Sequence, residues 1–502
     1  MSKKIQFNDV TLRDGQQSIA ATRMSTEQAM RVLPHIVEAG YSTVELWGGA
    51  ILDSCVRFLD EDPWERLAAF YQTTKGKVPI RALLRGQNLF AYQPYPDDLV
   101  IEFIKTAIQS GIGEMRVFDA LNDWRNLQTA LLAVRAFGGK AEAALSYTTS
   151  PVHTTEYYVD YALKLLAEGA EQIAIKDMAG ILYPWDAIEL FRALKKATDA
   201  PIILHTHDTA GVGTLNAVLA MREGIDQIDS AITPFSGGSS HPPIEVLVVF
   251  AEALGLAHGL NIEAILKAQE VLFDVFEELS DLITYHGKYY RPISPKDVDR
   301  TKVDVILALL EKGQDQETLE QALELMRALL ADLGYPPYDS RIFESQVPGG
   351  MLSNLQNQLR GMQQPDILSE VMAEIPVVRR DVGYVPLVTP TSQIVGSQAV
   401  FNIVTGQRYS FFSEEFKMLL KGEFGQTPVQ PNPSLVAMVL GEDQEPKKYR
   451  PAAYLMPVLE DAEWPEFVRS KKDLLLHLLL GPSADHFLRK KSTQSGNESD
   501  RG

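Results

Sequence analysis

The chain has 502 residues, 45% of them hydrophobic and 23% charged, a globular composition with apolar residues enough for a large core and more than one domain. Its 47 Lys and Arg stand against 66 Asp and Glu, a formal net charge of −19; a surface that acidic repels a phosphate backbone and argues against a nucleic-acid partner. The single cysteine, Cys55, excludes an internal disulfide and a Cys-rich zinc site. With no uninterrupted apolar run of about 18 residues and no signal-peptide h-region in MSKKIQFNDVTLRDG, a cytoplasmic protein without membrane insertion is expected.

The first half repeats one event, a short β-branched or apolar run followed by a longer helical pattern. The runs begin at Ile5, Thr43, Ile80, Met115, Ala141, Gln172, Ile202 and Gln227, about 25 to 38 residues apart, the size of a strand plus its crossover helix. Between them, Ser25 to Ala39 opens on a capping signature and stops at Gly40, and Tyr157 to Glu168 stops at Gly169. Eight such units predict a closed (β/α)8 TIM barrel over residues 1–260 rather than an open doubly wound sheet. From Asn261 the alternation ceases. Ile262 to Ser280 and Gln316 to Leu333 read as helices, so a mainly helical domain is expected over 261–460, carrying PGGMLSNL from Pro348 and PLVTPTSQIVG from Pro386. Residues 461–502 are expected to form a C-terminal helix and a polar tail, disordered after Arg489.

A barrel places its chemistry at the C-terminal ends of its strands, and there fall Asp14, Trp47, Arg85, Asp119, Lys176, His205 and His207. The i, i+2 spacing of His205 and His207 points both imidazoles to one side of a strand, within reach of one ion; the other reading is a pair of barrel-lining histidines held by hydrogen bonds. Asp14 and Lys176 on other strand ends favour the ion, in an open Lewis-acidic site. Gly15 is expected to let the chain turn sharply, leaving Asp14 over the barrel mouth. Lys176, flanked by Ile175 and Met178, is costly to bury charged. The residues alone favour an ion pair with Asp177 or another rim carboxylate; the alternative is a carbamate formed with CO2. Arg85, in LLRGQN, suits a bidentate grip on an anionic substrate or a structural pair with Asp119 or Glu45. The Ser236 to Ser240 loop reads as a tight turn rather than a phosphate cradle, and Cys55 as a small buried residue.

The set TLRDGQQSIAATRM, ELWGGA, VRFLDEDPWERL, LLRGQN, RVFDALND, IAIKDMAG, HTHDTAG and FSGGSSHPP, with PGGMLSNL and VTPTSQIVG, runs from residue 5 to about residue 400. It closely resembles the carboxyltransferase component of biotin-dependent enzymes acting on pyruvate and oxaloacetate: pyruvate carboxylase (its carboxyltransferase domain or the corresponding separate subunit), the oxaloacetate decarboxylase alpha subunit and the transcarboxylase 5S subunit. The TLRDG barrel is shared more distantly with CoA-ester lyases and Claisen-condensing enzymes. The resemblance implies a barrel extended by a helical funnel-like domain, in a homodimer. It implies Asp14, His205 and His207 as ligands of a divalent metal (Zn, Co or Mn), with Lys176 as a carbamylated ligand. It also implies Gln17 and Arg85, with Arg13 beside them, as keto-acid binders and Ser353 as the proton shuttle between biotin and pyruvate. Gln16 stands where many members have histidine, a change expected to alter the rim. The familiar M-K-M biotin-attachment sequence is absent. Biotin is therefore expected on a separate carboxyl carrier protein, with a biotin carboxylase or a decarboxylase subunit completing the cycle.

Overall fold

Eight parallel strands carry the barrel: β1 (Gln6–Asp9), β2 (Val44–Gly48), β3 (Ile80–Leu84), β4 (Ile112–Val117), β5 (Lys140–Ser146), β6 (Gln172–Asp177), β7 (Ile202–Thr206) and β8 (Gln227–Ser230). They pair in chain order and close β8 onto β1. The computed structural model describes residues 4–499 apart from 92, 340–341, 344–354, 356–357 and 443. β4 starts earlier than its sequence pattern suggests, because Ile112 already pairs with Ile80. The register sets Lys176 of β6 against His205 of β7, so the two side chains share a face.

The crossover helices form for local reasons. In the helix Thr26–Glu38, Ser25 and Gln28 make a reciprocal capping box, and the apolar face of Ala29, Val32, Leu33 and Ile36 is buried. Thr154 caps Thr155–Ala167 through the Tyr157 N–H. Inside the barrel the middle layer is ionic rather than aliphatic. Glu45, Arg81, Arg116, Glu142 and Asp229 are fully buried. Arg81 bridges Glu45 (2.8 Å) and Asp229 (2.9 Å), while Arg116 bridges Asp229 (2.5 Å) and Glu142. Mutual pairing is what makes such burial tolerable.

The end of the βα alternation near Leu260 is not the end of the barrel's core. The helices Ile262–Glu278, Arg300–Lys312 and Gln316–Asp332 are amphipathic, and their apolar faces join the core that contains the strands. Ile262–Glu278 lies along Thr26–Glu38. The helix Lys471–Leu480 returns to the same core. A second core gathers Leu355, Val371, Ile375, Val395 and Phe416, with Leu121 contributed from the barrel rim. Where a disordered tail is expected, residues 490–499 continue the helix Pro482–Ser499, and Lys491 is held 2.5 Å from Asp62. Among the described residues no helix is long and apolar enough to cross a membrane.

The second core is fastened over the barrel mouth. Asn126 donates to the Phe424 carbonyl (2.8 Å), the Gln426 N–H donates to Asp123 (2.8 Å), and Arg379 donates to the Thr149 carbonyl (2.9 Å). Val388, from the PLVTPTSQIVG segment, packs on Phe118, Ala144, Ala174 and Ile203. The small Ala144 and Ala174 on β5 and β6 leave room for it.

Candidate active site

A wide helical turn over Thr11–Gly15 carries Asp14 from the end of β1 to the mouth. Gly15 has an ordinary helical φ of −57°, so the sharp-turn role expected of it is not its reason for being glycine. A Cβ there would stand 2.8 Å from the Phe235 carbonyl oxygen; close backbone approach is what demands the glycine. Asp14 Oδ2 lies 3.3 Å from His205 Nε2, 3.4 Å from His241 Nε2 and 3.8 Å from His207 Nε2. All four side chains are buried, and one donor atom from each lies within 4.8 Å of the others.

The His207 imidazole presents a lone pair to this point. His207 Nδ1 is 2.8 Å from the Ser239 carbonyl, which only accepts, so the proton is on Nδ1 and Nε2 is bare. Among the described residues, the buried Nε2 atoms of His207 and His241 have no hydrogen-bond partner. Burial, reinforced by Lys176 and His241, pushes His205 down to about 4, and burial holds His207 well below its usual range. Burial alone raises the Asp14 carboxyl, but the Arg13 guanidinium beside it outweighs burial and holds the carboxyl well below its usual range. One carboxylate, the neutral imidazoles of His205 and His207 and the unpartnered Nε2 of His241 form a donor set that fits a divalent cation.

The sequence pattern does not single out His241. It sits after β8 on the loop that also supplies the Ser239 carbonyl, where Gly237 (φ +67°) and Gly238 (φ +55°) make the expected tight turn and the Gly237 N–H donates to the His241 carbonyl (2.7 Å). The available signal is a third histidine, in SSHPP, at a strand's C-terminal end.

Lys176 is buried with Nζ 2.9 Å from His205 Nε2. Its pairing with Asp177 does not occur: Asp177 points to the other face of β6 and accepts from the backbone of Ile181 and Leu182 and from Thr206. Burial lowers the Lys176 amine to about 8 despite the pull of Asp14. Arg85 follows β3, donates to the Ala91 carbonyl (2.6 Å) and faces the Phe118 ring. It pairs with neither Asp119 nor Glu45. Arg85, Lys176, Asp14, Arg13 and Gln17 line one cavity of about 70 Å³, with Phe118, Met178 and Thr389. Gln17 is exposed at its edge, whereas Arg13 is buried and engaged with Glu45, Asp14 (2.7 Å) and Gln17 (3.3 Å). Thr389 reaches the cavity from the second core, and nothing local in the sequence marks it for that place.

Other rim candidates serve the scaffold. Trp47 is buried among Trp64 and Phe103, and Asp119 accepts from the backbone of Leu121 and Asp123 and from Asn126. Gln16 turns inward, bonded to the Leu12 carbonyl and Met24 N–H, so it does not reshape the rim. Burial raises the Cys55 thiol to about 11, an inert state. Ser353 lies outside the described residues. A larger hollow of about 600 Å³, between Leu419 and Lys448, contains none of the metal-capable cluster.

A family model described as a conserved carboxylase domain matches residues 342–500, and one described as HMGL-like matches 124–272. The chain is 39% identical to a pyruvate carboxylase subunit of Methanocaldococcus jannaschii, over 97% of this chain and 78% of that protein. It is 38% identical to the methylmalonyl-CoA carboxyltransferase 5S subunit of Propionibacterium freudenreichii subsp. shermanii, over 91% of this chain and 81% of that protein. The carboxyl transferase domain of Rhizobium etli pyruvate carboxylase, solved with oxamate and biotin, superposes with a TM-score of 0.84 at 28% identity, over 98% of this chain and 78% of that one. With the barrel and the rim site in place, these likenesses assign the chain to the carboxyltransferase family of pyruvate carboxylase and transcarboxylase.

Proposed function

We propose that the chain moves a carboxyl group between carboxybiotin, borne by a separate carrier protein, and pyruvate or oxaloacetate. The observation that carries this reading is the convergence of Asp14 Oδ2 with buried imidazoles at 3.3 to 3.8 Å, beside a small cavity lined by Arg85, Lys176 and Gln17. Asp14, His205 and His207, joined by His241, would hold a divalent cation (Zn, Co or Mn), which supplies Lewis-acid stabilisation of the enolate charge. Lys176 adds a further ligand if its neutral amine bonds to CO2 and releases a proton, giving a carbamate. Its burial and its place against His205 support that step.

Arg85 and Gln17 orient the carboxylate of the keto acid, Arg85 through its planar fork. Arg13, fixed by Glu45, holds Asp14 in place and keeps a positive charge beside the developing enolate. In the carboxylation direction, carboxybiotin releases CO2 and leaves a basic N1. A C3 proton of pyruvate passes through the Ser353 hydroxyl to that nitrogen, and C3 then forms the bond to CO2. The reverse sequence decarboxylates oxaloacetate onto biotin. Val388 and its neighbours over the mouth limit water entry, which protects the enolate from protonation. A homodimer, a biotin carboxyl carrier, a biotin carboxylase or decarboxylase partner and a cytoplasmic location complete the reading.

The test is oxaloacetate decarboxylation by the purified protein with and without free biotin, beside Lys176→Ala, with metal content measured in both. Biotin-stimulated pyruvate release by the parent, lost together with metal in the variant, supports the reading. Undiminished metal and turnover in Lys176→Ala defeats the ligand assignment.

A further inference from the structure

His205 Nδ1 faces two groups of opposite character. Asp229 Oδ2 lies 2.8 Å away and Arg116 Nη1 also lies 2.8 Å away. A carboxylate only accepts and a guanidinium only donates, and Nδ1 can satisfy one of them. Two further distances decide. Arg116 Nη1 is itself 2.5 Å from Asp229 Oδ2, so with a proton on Nδ1 both N–H groups converge on one carboxylate oxygen. With Nδ1 bare, its lone pair would confront that oxygen at 2.8 Å. On the opposite side of the ring, Nε2 lies 2.9 Å from the Lys176 amine and 3.3 Å from Asp14 Oδ2; the nearer group, as an ammonium, only donates and requires a lone pair on Nε2. Both ends of the ring select the same tautomer.

We infer that Asp229 is a positioning residue: it holds the His205 proton on Nδ1 and so turns the Nε2 lone pair toward Asp14, readying His205 as a metal ligand before any ion arrives. This rests on the reading of His205 as a ligand given above. Arg81 and Asn8 fix the other oxygen of Asp229 at 2.9 and 3.0 Å, so the carboxylate cannot rotate away. The ionic layer inside the barrel therefore has a task beyond packing: it presents one oriented acceptor to the floor of the rim site. A carboxylate behind a ligating histidine fixes the ring and raises its basicity, and loss of such a partner typically costs about 10- to 100-fold in metal affinity.

The experiment compares Asp229→Asn with Glu142→Gln by Zn2+ competition titration and by the visible spectrum of the Co2+-loaded full-length protein. Glu142 belongs to the same buried layer, pairing with Arg116 and Gln172, but does not touch His205. Asp229→Asn should bind Zn2+ about 10- to 100-fold more weakly and shift the Co2+ bands, whereas Glu142→Gln should lower thermal stability and bind Zn2+ within about twofold of the parent. Equal loss of affinity in both variants would assign the effect to general disruption of the ionic layer and overturn the inference. Should Asp229→Asn not fold, imidazole 15N shifts of the metal-free parent decide, with the His205 signal identified by its loss in His205→Gln. Protonated Nδ1 with bare Nε2 supports the inference, and a proton on Nε2 overturns it. A parent that takes up no metal defeats the site reading itself, whereas a parent that binds metal no better than Asp229→Asn defeats only the role of Asp229.

Discussion

Oδ2 of Asp14 lies 3.4 Å from Nε2 of His241, although the two residues come from opposite ends of the barrel sequence. They meet because β8 closes onto β1, with Gln6 to Asp9 registered against Gln227 to Ser230. Closure brings the loop after β8 over the turn that carries Asp14. That makes His241 part of the metal-capable cluster rather than a remote histidine.

His241→Ala should therefore weaken divalent-metal binding, by about tenfold or more on the scale of coordination-sphere losses, while leaving thermal stability nearly unchanged. Zn2+ competition and a melting curve check this. Unaltered affinity would place His241 outside the coordination sphere. Chelation of the parent should abolish carboxyl transfer, with recovery on adding back Zn2+, Co2+ or Mn2+.

Arg85→Lys keeps the positive charge and loses the planar pair of donors. If Arg85 grips the keto-acid carboxylate, KM for oxaloacetate should rise about ten- to a hundredfold, the equivalent of a charged hydrogen bond worth about 1.5–3 kcal/mol. Metal content should stay the same. Steady-state kinetics decides; an unchanged KM rejects the substrate contact.

Gly15→Ala places a methyl 2.8 Å from the Phe235 carbonyl. The backbone must yield, at a cost of about 1–3 kcal/mol typical of overpacking, and the movement displaces Asp14 from the imidazoles. Both melting temperature and metal affinity should fall. A variant as stable as the parent would show that the approach relaxes freely.

Glu245 is buried and accepts from Gln269 (2.6 Å) and the Thr233 N–H (3.0 Å). Burial pushes its carboxyl up to about 7, from 4.5 for the free group. The folded state thus holds this proton more tightly than the unfolded chain. The resulting stabilisation is complete below the unfolded value and is lost as pH rises through about 7. Glu245→Gln removes the dependence, so relative to the parent it should gain stability between pH 5 and pH 8, by about 1–3 kcal/mol. A stability difference that is flat across that interval contradicts the argument.

The barrel was legible in the sequence because strand and helix periodicities are local. Eight β-rich runs, the Ser25–Gln28 capping pair and the halts at Gly40 and Gly169 each follow from near neighbours in the chain, and the strand-end rule then located Asp14, Arg85, Lys176, His205 and His207. The parity of a β-strand alone put His205 and His207 on one side. Other features depended on which distant segments came to lie together. His241 joined the cluster through barrel closure, Thr389 reached the cavity when the second core settled over Ala144 and Ala174, and Asp229 found His205 across the β7–β8 pair. Gln16 and Gly15 show the same division: their identities were plain in the chain, but inward burial against Met24 and the close approach of Phe235 assigned their roles. Partners that meet only when separate segments pack together leave no periodic trace in the chain, so only the tertiary structure could decide them.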